Sequence, residues 1–201
     1  MIIDNEIIKQ IPVVASIVKF GKVALTIRER YLIKKLVTFI ESINNGDIEP
    51  DVLENHKQML ENNSEKLNKE LEKVMILIDR QLEIDKTKIL AELYKSYISR
   101  KLQWSDFLYF SEILEGLFMI DLQQLKLIYE TEFIEKNKTL QAICMSRLQA
   151  LGLVEYFSGM VVSVTMSDGE KKQIKGRITG HGKIFYEMGP KKLIDIGSIS
   201  L

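Results

Sequence analysis

The spacing of apolar residues changes at Gly152, and this change constrains the fold more than any other feature of the sequence. Before Gly152, apolar residues recur every three or four positions, as they do over residues 36–43, which is the period of an amphipathic helix. After Gly152, short runs rich in valine and isoleucine alternate with glycine-containing turn signals. The pattern predicts a mainly helical α+β protein, in which a bundle of about seven helices precedes a small antiparallel sheet.

Three β-type runs are predicted in the C-terminal part of the chain, at residues 161–166, 173–178 and 183–188. The first two runs flank Ser167-Asp168-Gly169, and an Asp-Gly pair between two such runs is a hairpin signal. Glycines on both sides separate the third run from its neighbours. We therefore expect a C-terminal β-hairpin with a third strand after it.

Charge is distributed unevenly, although 28 lysines and arginines balance 28 aspartates and glutamates in the 201-residue chain. Residues 136–183 contain eight basic and three acidic residues, and residues 184–201 are balanced. Residues 136–183 therefore carry +5 and residues 1–135 carry −5. An acidic part followed by a basic part indicates two modules, and we predict a helical assembly domain at 1–118 and a second domain at 119–201.

The order of elements in the second domain resembles that of a winged helix. A helix containing Leu125 and Ile128 comes first, a second helix ends at Leu151-Gly152-Leu153-Val154, and the hairpin follows. In that class the helix before the hairpin contacts nucleic acid and the hairpin forms the wing. The resemblance implies that the nucleic-acid-binding residues are Lys138, Gln141 and Arg147 on the helix and Lys171, Lys172, Lys175 and Arg177 in the wing. The alternative is a winged helix that binds protein, in which the lysines only keep the surface hydrated.

Residues 13–27 predict an N-terminal apolar helix whose polar residues form one narrow stripe. A helix with so narrow a polar stripe is largely buried, either in protein or in a membrane interface. Lys19 and Lys22 argue against a transmembrane span. The residues predicted to form the assembly or membrane-docking surface are Val14, Ile17, Val18, Phe20 and Leu25.

Few residues offer catalytic or metal-binding chemistry. The sequence lacks the glycine-rich phosphate loop, the dinucleotide-binding motif, the nucleophile elbow and the His-Glu-x-x-His zinc motif. Its single cysteine, Cys144, lies on the apolar side of a helix, where it serves as a small hydrophobe, and a lone thiol fits a reducing compartment. We expect a non-enzymatic cytoplasmic protein, peripheral to the membrane if the N-terminal apolar helix docks there, with no cofactor, no metal ion and no small-molecule substrate.

Three stretches of sequence resemble the abortive-infection alpha family of bacterial and phage-related proteins. Glu70-Leu71-Glu72, the run from Asp85 to Tyr97 and the Leu-Gly-Leu-Val helix end follow one another, so the similarity covers about residues 65–190. The resemblance implies a helical protein linked to defence against phage, and it implies no catalytic residues. We expect an interaction protein that forms a homo-oligomer or binds a protein partner. A winged-helix DNA-binding regulator and a membrane-acting effector are the alternatives.

The substitution Ile17→Asp distinguishes burial of the N-terminal apolar helix from docking on a membrane. If the helix is buried, the new carboxylate meets apolar neighbours at a cost of several kcal/mol, and folding or assembly fails. We expect this result, because a wide exposed apolar face promotes aggregation. If the helix docks on membranes, the variant folds but no longer sediments with anionic liposomes. A folded variant with an unchanged mass by light scattering would refute burial.

Overall fold

The computed structural model describes residues 26–45, 48–131, 133–135, 139–162, 173–195 and 197, and at 133–135, 139–141, 156–162 and 173–175 it describes the backbone only. The chain divides into two compact units, Met1–Glu115 and Gly116–Leu201. The predicted turn at 167–169 lies outside the described residues. So does the predicted surface of the N-terminal apolar helix, which consists of Val14, Ile17, Val18, Phe20 and Leu25.

The first unit is a helical bundle, and its described helices are α1 (Ile27–Ile43), α2 (Pro50–Glu61), α3 (Ser64–Arg80), α4 (Ile84–Ile98) and α5 (Trp104–Gly116). α4 is the central helix, because it contacts both α1 and α2 and is buried on nearly all sides. Its fully buried residues include Ile89, Leu90, Leu93 and Tyr94. This burial extends to charged side chains of α4, since Lys86, Glu92 and Lys95 are buried as well, whereas α3 keeps one charged face at the outside.

The helix ends follow local sequence signals. Thr26 and Glu29 form a capping box at the start of α1, in which each side chain accepts a hydrogen bond from the other residue's backbone N–H. Pro50 begins α2, in a position where proline is favoured because its missing N–H is not needed there. The sequence predicts Ser64 as the N-cap of α3, but Asn63 accepts the capping hydrogen bond instead. Asparagine and serine are nearly equal as N-caps, so sequence alone does not separate two neighbours.

The second unit combines helices with one antiparallel sheet. Its described helices are α6 (Met119–Thr131), α7 (Thr139–Ala150), α8 (Gly180–Met188) and α9 (Pro190–Asp195), and its described strands are β1 (Phe133–Glu135), β2 (Val154–Val162) and β3 (Gln173–Ile178). β3 lies between β1 and β2, and it pairs antiparallel with both. Phe133 pairs with Lys175, and Val154 pairs with Ile178. The prediction of a mainly helical α+β protein with a small antiparallel sheet is confirmed.

The third predicted strand is wrong, because residues 183–188 lie in α8. The Thr179 hydroxyl caps this helix by accepting from the Gly182 N–H at 2.9 Å, and Phe185 and Tyr186 are both buried. A short apolar run fits a buried strand and a buried helix equally well, so the pattern alone does not distinguish them. The third strand of the sheet is β1 instead, and its three residues are too few to give a periodic signal.

Helix length can be compared with the thickness of a membrane only for the described helices, which do not include the N-terminal apolar helix. The longest described helices, α1 and α3, contain 17 residues each, whereas a membrane-spanning helix needs about 20 apolar residues. None of the helices in the described ranges combines the length and the apolar character that a membrane crossing requires.

The substitution Gly182→Ala tests the close approach of α8 to the segment that follows α7. A Cβ at Gly182 would overlap the backbone carbonyl of Leu153, and a backbone group cannot move aside as a flexible side chain can. We expect the free energy of unfolding to fall by about 1–3 kcal/mol. Gly180→Ala is the matched control, because a Cβ there meets nothing within 4 Å. Urea unfolding monitored by circular dichroism measures both, and equal stability of the two variants would contradict the close approach.

Candidate functional site

The carboxylate of Glu70, on α3, is buried in the first unit, and only 3% of the residue is exposed. It accepts hydrogen bonds from the hydroxyls of Tyr94 at 2.7 Å and Tyr97 at 3.1 Å, both on α4. His56 Nε2, on α2, lies 3.1 Å from the same carboxylate. We call these four residues the Glu70 cluster. Because a buried carboxylate loses its hydration, it depends on such partners.

Aromatic rings enclose the Glu70 cluster. The ring of Tyr94 lies 5.4 Å from that of Phe107, and the ring of Tyr97 lies 5.1 Å from that of Trp104, separations typical of favourable aromatic pairs. The pKa of both tyrosines lies above the ordinary value. Burial is the largest cause, and the negative charge of Glu70 is the next largest. Both hydroxyls therefore stay protonated at neutral pH and keep donating to Glu70.

The sequence predicts Glu70 on the solvated face of α3, beside Lys69, and the structure contradicts this prediction. Glu70 is buried because α2 and α4 cover it. The charge pattern of α3 alone does not reveal these neighbouring helices. The signal lies in α4, where Tyr94 and Tyr97 are three residues apart and therefore share one helix face. His56, expected to be a partly covered structural residue, is buried.

The substitution Glu70→Ala leaves the buried polar groups of His56 and Tyr94, and the half-buried hydroxyl of Tyr97, without their carboxylate partner. We expect the free energy of unfolding to fall by about 3 kcal/mol, because each donor then carries its own desolvation cost. Glu72→Ala is the matched control on the same helix, where the side chain is exposed, and we expect a change within about 0.5 kcal/mol. Guanidinium unfolding measures the difference. If the two variants were equally stable, the Glu70 cluster would not be a stabilising element.

A second buried polar cluster lies in the second unit. Asp121, on α6, is fully buried and accepts from Arg147 Nε at 2.7 Å and from the Phe118 backbone N–H at 2.7 Å. The Arg147 guanidinium lies 4.5 Å from the centre of the Phe118 ring. Burial, and next to it the interaction with Asp121, raises the pKa of the Cys144 thiol to about 11. We call Phe118, Asp121, Cys144 and Arg147 the Asp121 cluster, in which the thiol is neutral at physiological pH.

Five of the residues predicted to bind nucleic acid have no described side chain. Lys138, Lys171 and Lys172 lie outside the described residues. Gln141 belongs to α7 and Lys175 to β3, and only their backbones are described. Whether these residues form one surface therefore stays a prediction.

The other two predicted residues, Arg147 and Arg177, lie on different elements. Arg147 belongs to α7, and its charge is balanced by the buried Asp121 carboxylate. Arg177 is exposed on β3, and its backbone pairs with that of Glu155 on β2. Arg147 therefore has an acidic side chain as its partner, whereas Arg177 only lies opposite Glu155 in the sheet register.

The fully exposed positions of α7 are uncharged in its described part. They are Ala142, Ile143, Ser146, Gln149 and Ala150, and Ile143 is 50% exposed. Arg147 follows Ile143 by one helical turn, so the two side chains are neighbours on the helix surface. The ring beneath Arg147 belongs to Phe118, which is 54% exposed. We call the surface formed by Phe118, Ile143, Ser146, Arg147 and Gln149 the α7 strip.

Within the described ranges, no three His, Cys, Asp or Glu side chains come together as a metal site would require. Comparison of the chain with family models, with curated proteins and with solved structures gives no match. The roles of the Glu70 cluster, the Asp121 cluster and the α7 strip therefore follow from their own geometry.

Proposed function

We propose that the chain is a non-enzymatic interaction protein that pairs with a second copy of itself through the α7 strip. The observation that carries the proposal is the exposure of Ile143, one helical turn from Arg147, and of Phe118, on whose ring the Arg147 guanidinium stacks. Aromatic residues and arginine are enriched in protein interfaces, where a few such side chains supply most of the binding energy. Scattered apolar residues are ordinary on a surface, whereas neighbouring ones indicate a contact surface.

The neutrality of the α7 strip favours a second copy as the partner. Arg147 is paired with the buried Asp121 carboxylate, and the exposed positions of α7 carry no charge in its described part. A surface with unpaired basic residues repels its own copy across a twofold interface, where each residue faces the same patch. A neutral strip meets no such repulsion.

The winged-helix interpretation of the second unit is part of this proposal. It is supported by the order of helix, strand, helix and hairpin and by the sheet order β1-β3-β2. Duplex DNA is the less favoured ligand of this unit, because phosphate binding depends on lysine and arginine charge. Arg147 is already paired with Asp121, and Arg177 lies opposite Glu155 in the sheet.

The two buried acids support a non-catalytic role. Glu70 is held by two tyrosine hydroxyls and His56, and Asp121 is held by Arg147 and a backbone N–H. Both residues are almost entirely shielded from solvent, so their carboxylates serve buried contacts within the protein. The resemblance to the abortive-infection alpha family supports phage defence in a bacterial cell as the context of the self-association.

The substitution Ile143→Arg tests pairing through the α7 strip. We expect the wild-type chain to have the mass of a dimer by light scattering. The dissociation constant of the Ile143→Arg dimer should be about tenfold higher than that of the wild-type dimer or more. The reason is that the added positive charge faces the same charge on the second copy. Ile76→Arg is the matched control, since this isoleucine lies on α3 of the first unit and is 43% exposed. The control should keep the dimer mass.

Other results would assign the function differently. A wild-type monomer, or an Ile143→Arg dimer of unchanged affinity, would contradict pairing through the α7 strip. A dimer that is lost only in Ile17→Asp would assign assembly to the N-terminal apolar helix. Retardation of duplex DNA at low salt that Arg177→Gln weakens would favour the DNA-binding regulator, and wild-type binding to anionic liposomes would favour the membrane-acting effector.

A further inference from the structure

A cleft of about 370 Å³ lies in the first unit beside the Glu70 cluster. Its lining includes Met59 of α2, Lys66 of α3, Tyr97 of α4 and Trp104 of α5. Arg100, in the turn between α4 and α5, also lines it. Ligand pockets in proteins span roughly 300–1,000 Å³, so this cleft suits one small molecule. The pairing through the α7 strip uses none of these residues.

Two aromatic rings form a fixed wall of the cleft. The rings of Tyr97 and Trp104 lie 5.1 Å apart, and both side chains are partly exposed. The hydroxyl of Tyr97 is held by Glu70 at 3.1 Å, which restrains the ring beside the cleft. Aromatic faces in such a position favour stacking with a planar ring of a ligand.

Lys66 and Arg100 bring positive charge to the same cleft. In the part of the chain that the structure describes, neither side chain forms an ion pair with a carboxylate. This contrasts with Lys69, which lies on the same helix as Lys66 and contacts Glu65 at 2.6 Å. Acidic residues outnumber basic ones in this part of the sequence, since residues 1–135 carry a net charge of −5. Two cations without a carboxylate partner favour an anion as their ligand.

The backbone conformation of Arg100 is a second signal at this cleft. Its φ is 58°, in the left-handed region, and it is the one residue other than glycine with a positive φ in the described part of the chain. Glycine adopts this conformation without steric cost, whereas arginine does not. Strained residues of this kind cluster at functional sites. Arg100 directly follows Ser99, the C-cap of α4, at a position where helices commonly end in a left-handed residue that is usually glycine.

We propose that this cleft binds a small aromatic anion, meaning one planar ring system that carries a phosphate or a carboxylate. The ring stacks on the wall of Trp104 and Tyr97, and the anionic group contacts Arg100 and Lys66. A guanidinium donates two parallel hydrogen bonds to a phosphate or carboxylate, and a lysine ammonium adds a point charge. The site is independent of the α7 strip, so it stands or fails separately from the proposed self-association.

Trp104 is the only tryptophan in the chain, so its fluorescence reports on this cleft directly. The full chain is titrated with adenosine monophosphate and with 3-phenylpropionate, which represent the phosphate and the carboxylate source. Adenosine, which lacks the phosphate, and inorganic phosphate, which lacks the ring, test the two halves of adenosine monophosphate separately. We expect a saturable fluorescence change with at least one aromatic anion. For adenosine monophosphate, each half-ligand should bind at least about tenfold more weakly, because stacking and charge each contribute.

Three variants separate binding from folding. Arg100→Gly removes the guanidinium and relieves the left-handed conformation, so the melting temperature should stay equal or rise while affinity falls about tenfold or more. Lys66→Gln should lower affinity at an unchanged melting temperature. Lys69→Gln is the matched control on the same helix, and it should leave affinity unchanged, because Glu65 already pairs with Lys69.

Three results would overturn the proposal. The first is the absence of a saturable fluorescence change with either aromatic anion. The second is wild-type affinity in both Arg100→Gly and Lys66→Gln. The third is adenosine binding as tightly as adenosine monophosphate, which would show that the positive charges take no part.

Discussion

The buried carboxylate of Glu70 is the interaction on which the first unit depends most. It joins three helices, because Glu70 belongs to α3, His56 to α2, and Tyr94 and Tyr97 to α4. A carboxylate removed from water costs several kcal/mol unless donors replace its hydration. Apolar burial is not directional, whereas a hydrogen bond weakens steeply when its distance or angle departs from the preferred values. The polar contacts therefore add a requirement on the relative positions of α2, α3 and α4 that apolar burial alone does not impose.

Asp121 imposes a similar constraint on the second unit, with a consequence at the surface. It lies in the first turn of α6, and its partner Arg147 lies in the last turn of α7. The ion pair fixes these two helices, and it also removes an unbalanced positive charge from α7. A helix that the sequence predicts to contact phosphate thus presents uncharged exposed positions in its described part. The charge balance of α7 therefore depends on the buried acid as well as on the count of basic residues.

Most helices were predictable from the sequence because each carries a long periodic pattern of apolar residues. The errors fall where the signal is short or remote. Residues 183–188 and β1 are too short for a period to separate helix from strand. The burial of Glu70 depends on Tyr94, 24 positions later in the chain, and no pattern within α3 contains that information. The cleft beside the Glu70 cluster is equally remote in sequence, since Lys66 lies on α3 and Arg100 lies in the turn between α4 and α5.

The two buried acids share one physical effect: each fixes a side chain whose other end reaches the surface. Glu70 holds the hydroxyl of Tyr97, and the ring of that tyrosine lines the cleft with Trp104. Asp121 holds Nε of Arg147, and the guanidinium plane covers the ring of Phe118. A side chain fixed in this way loses less conformational entropy when it meets a partner. These two buried acids therefore shape surfaces that they do not themselves reach, so replacing either acid alters an exposed surface as well as stability.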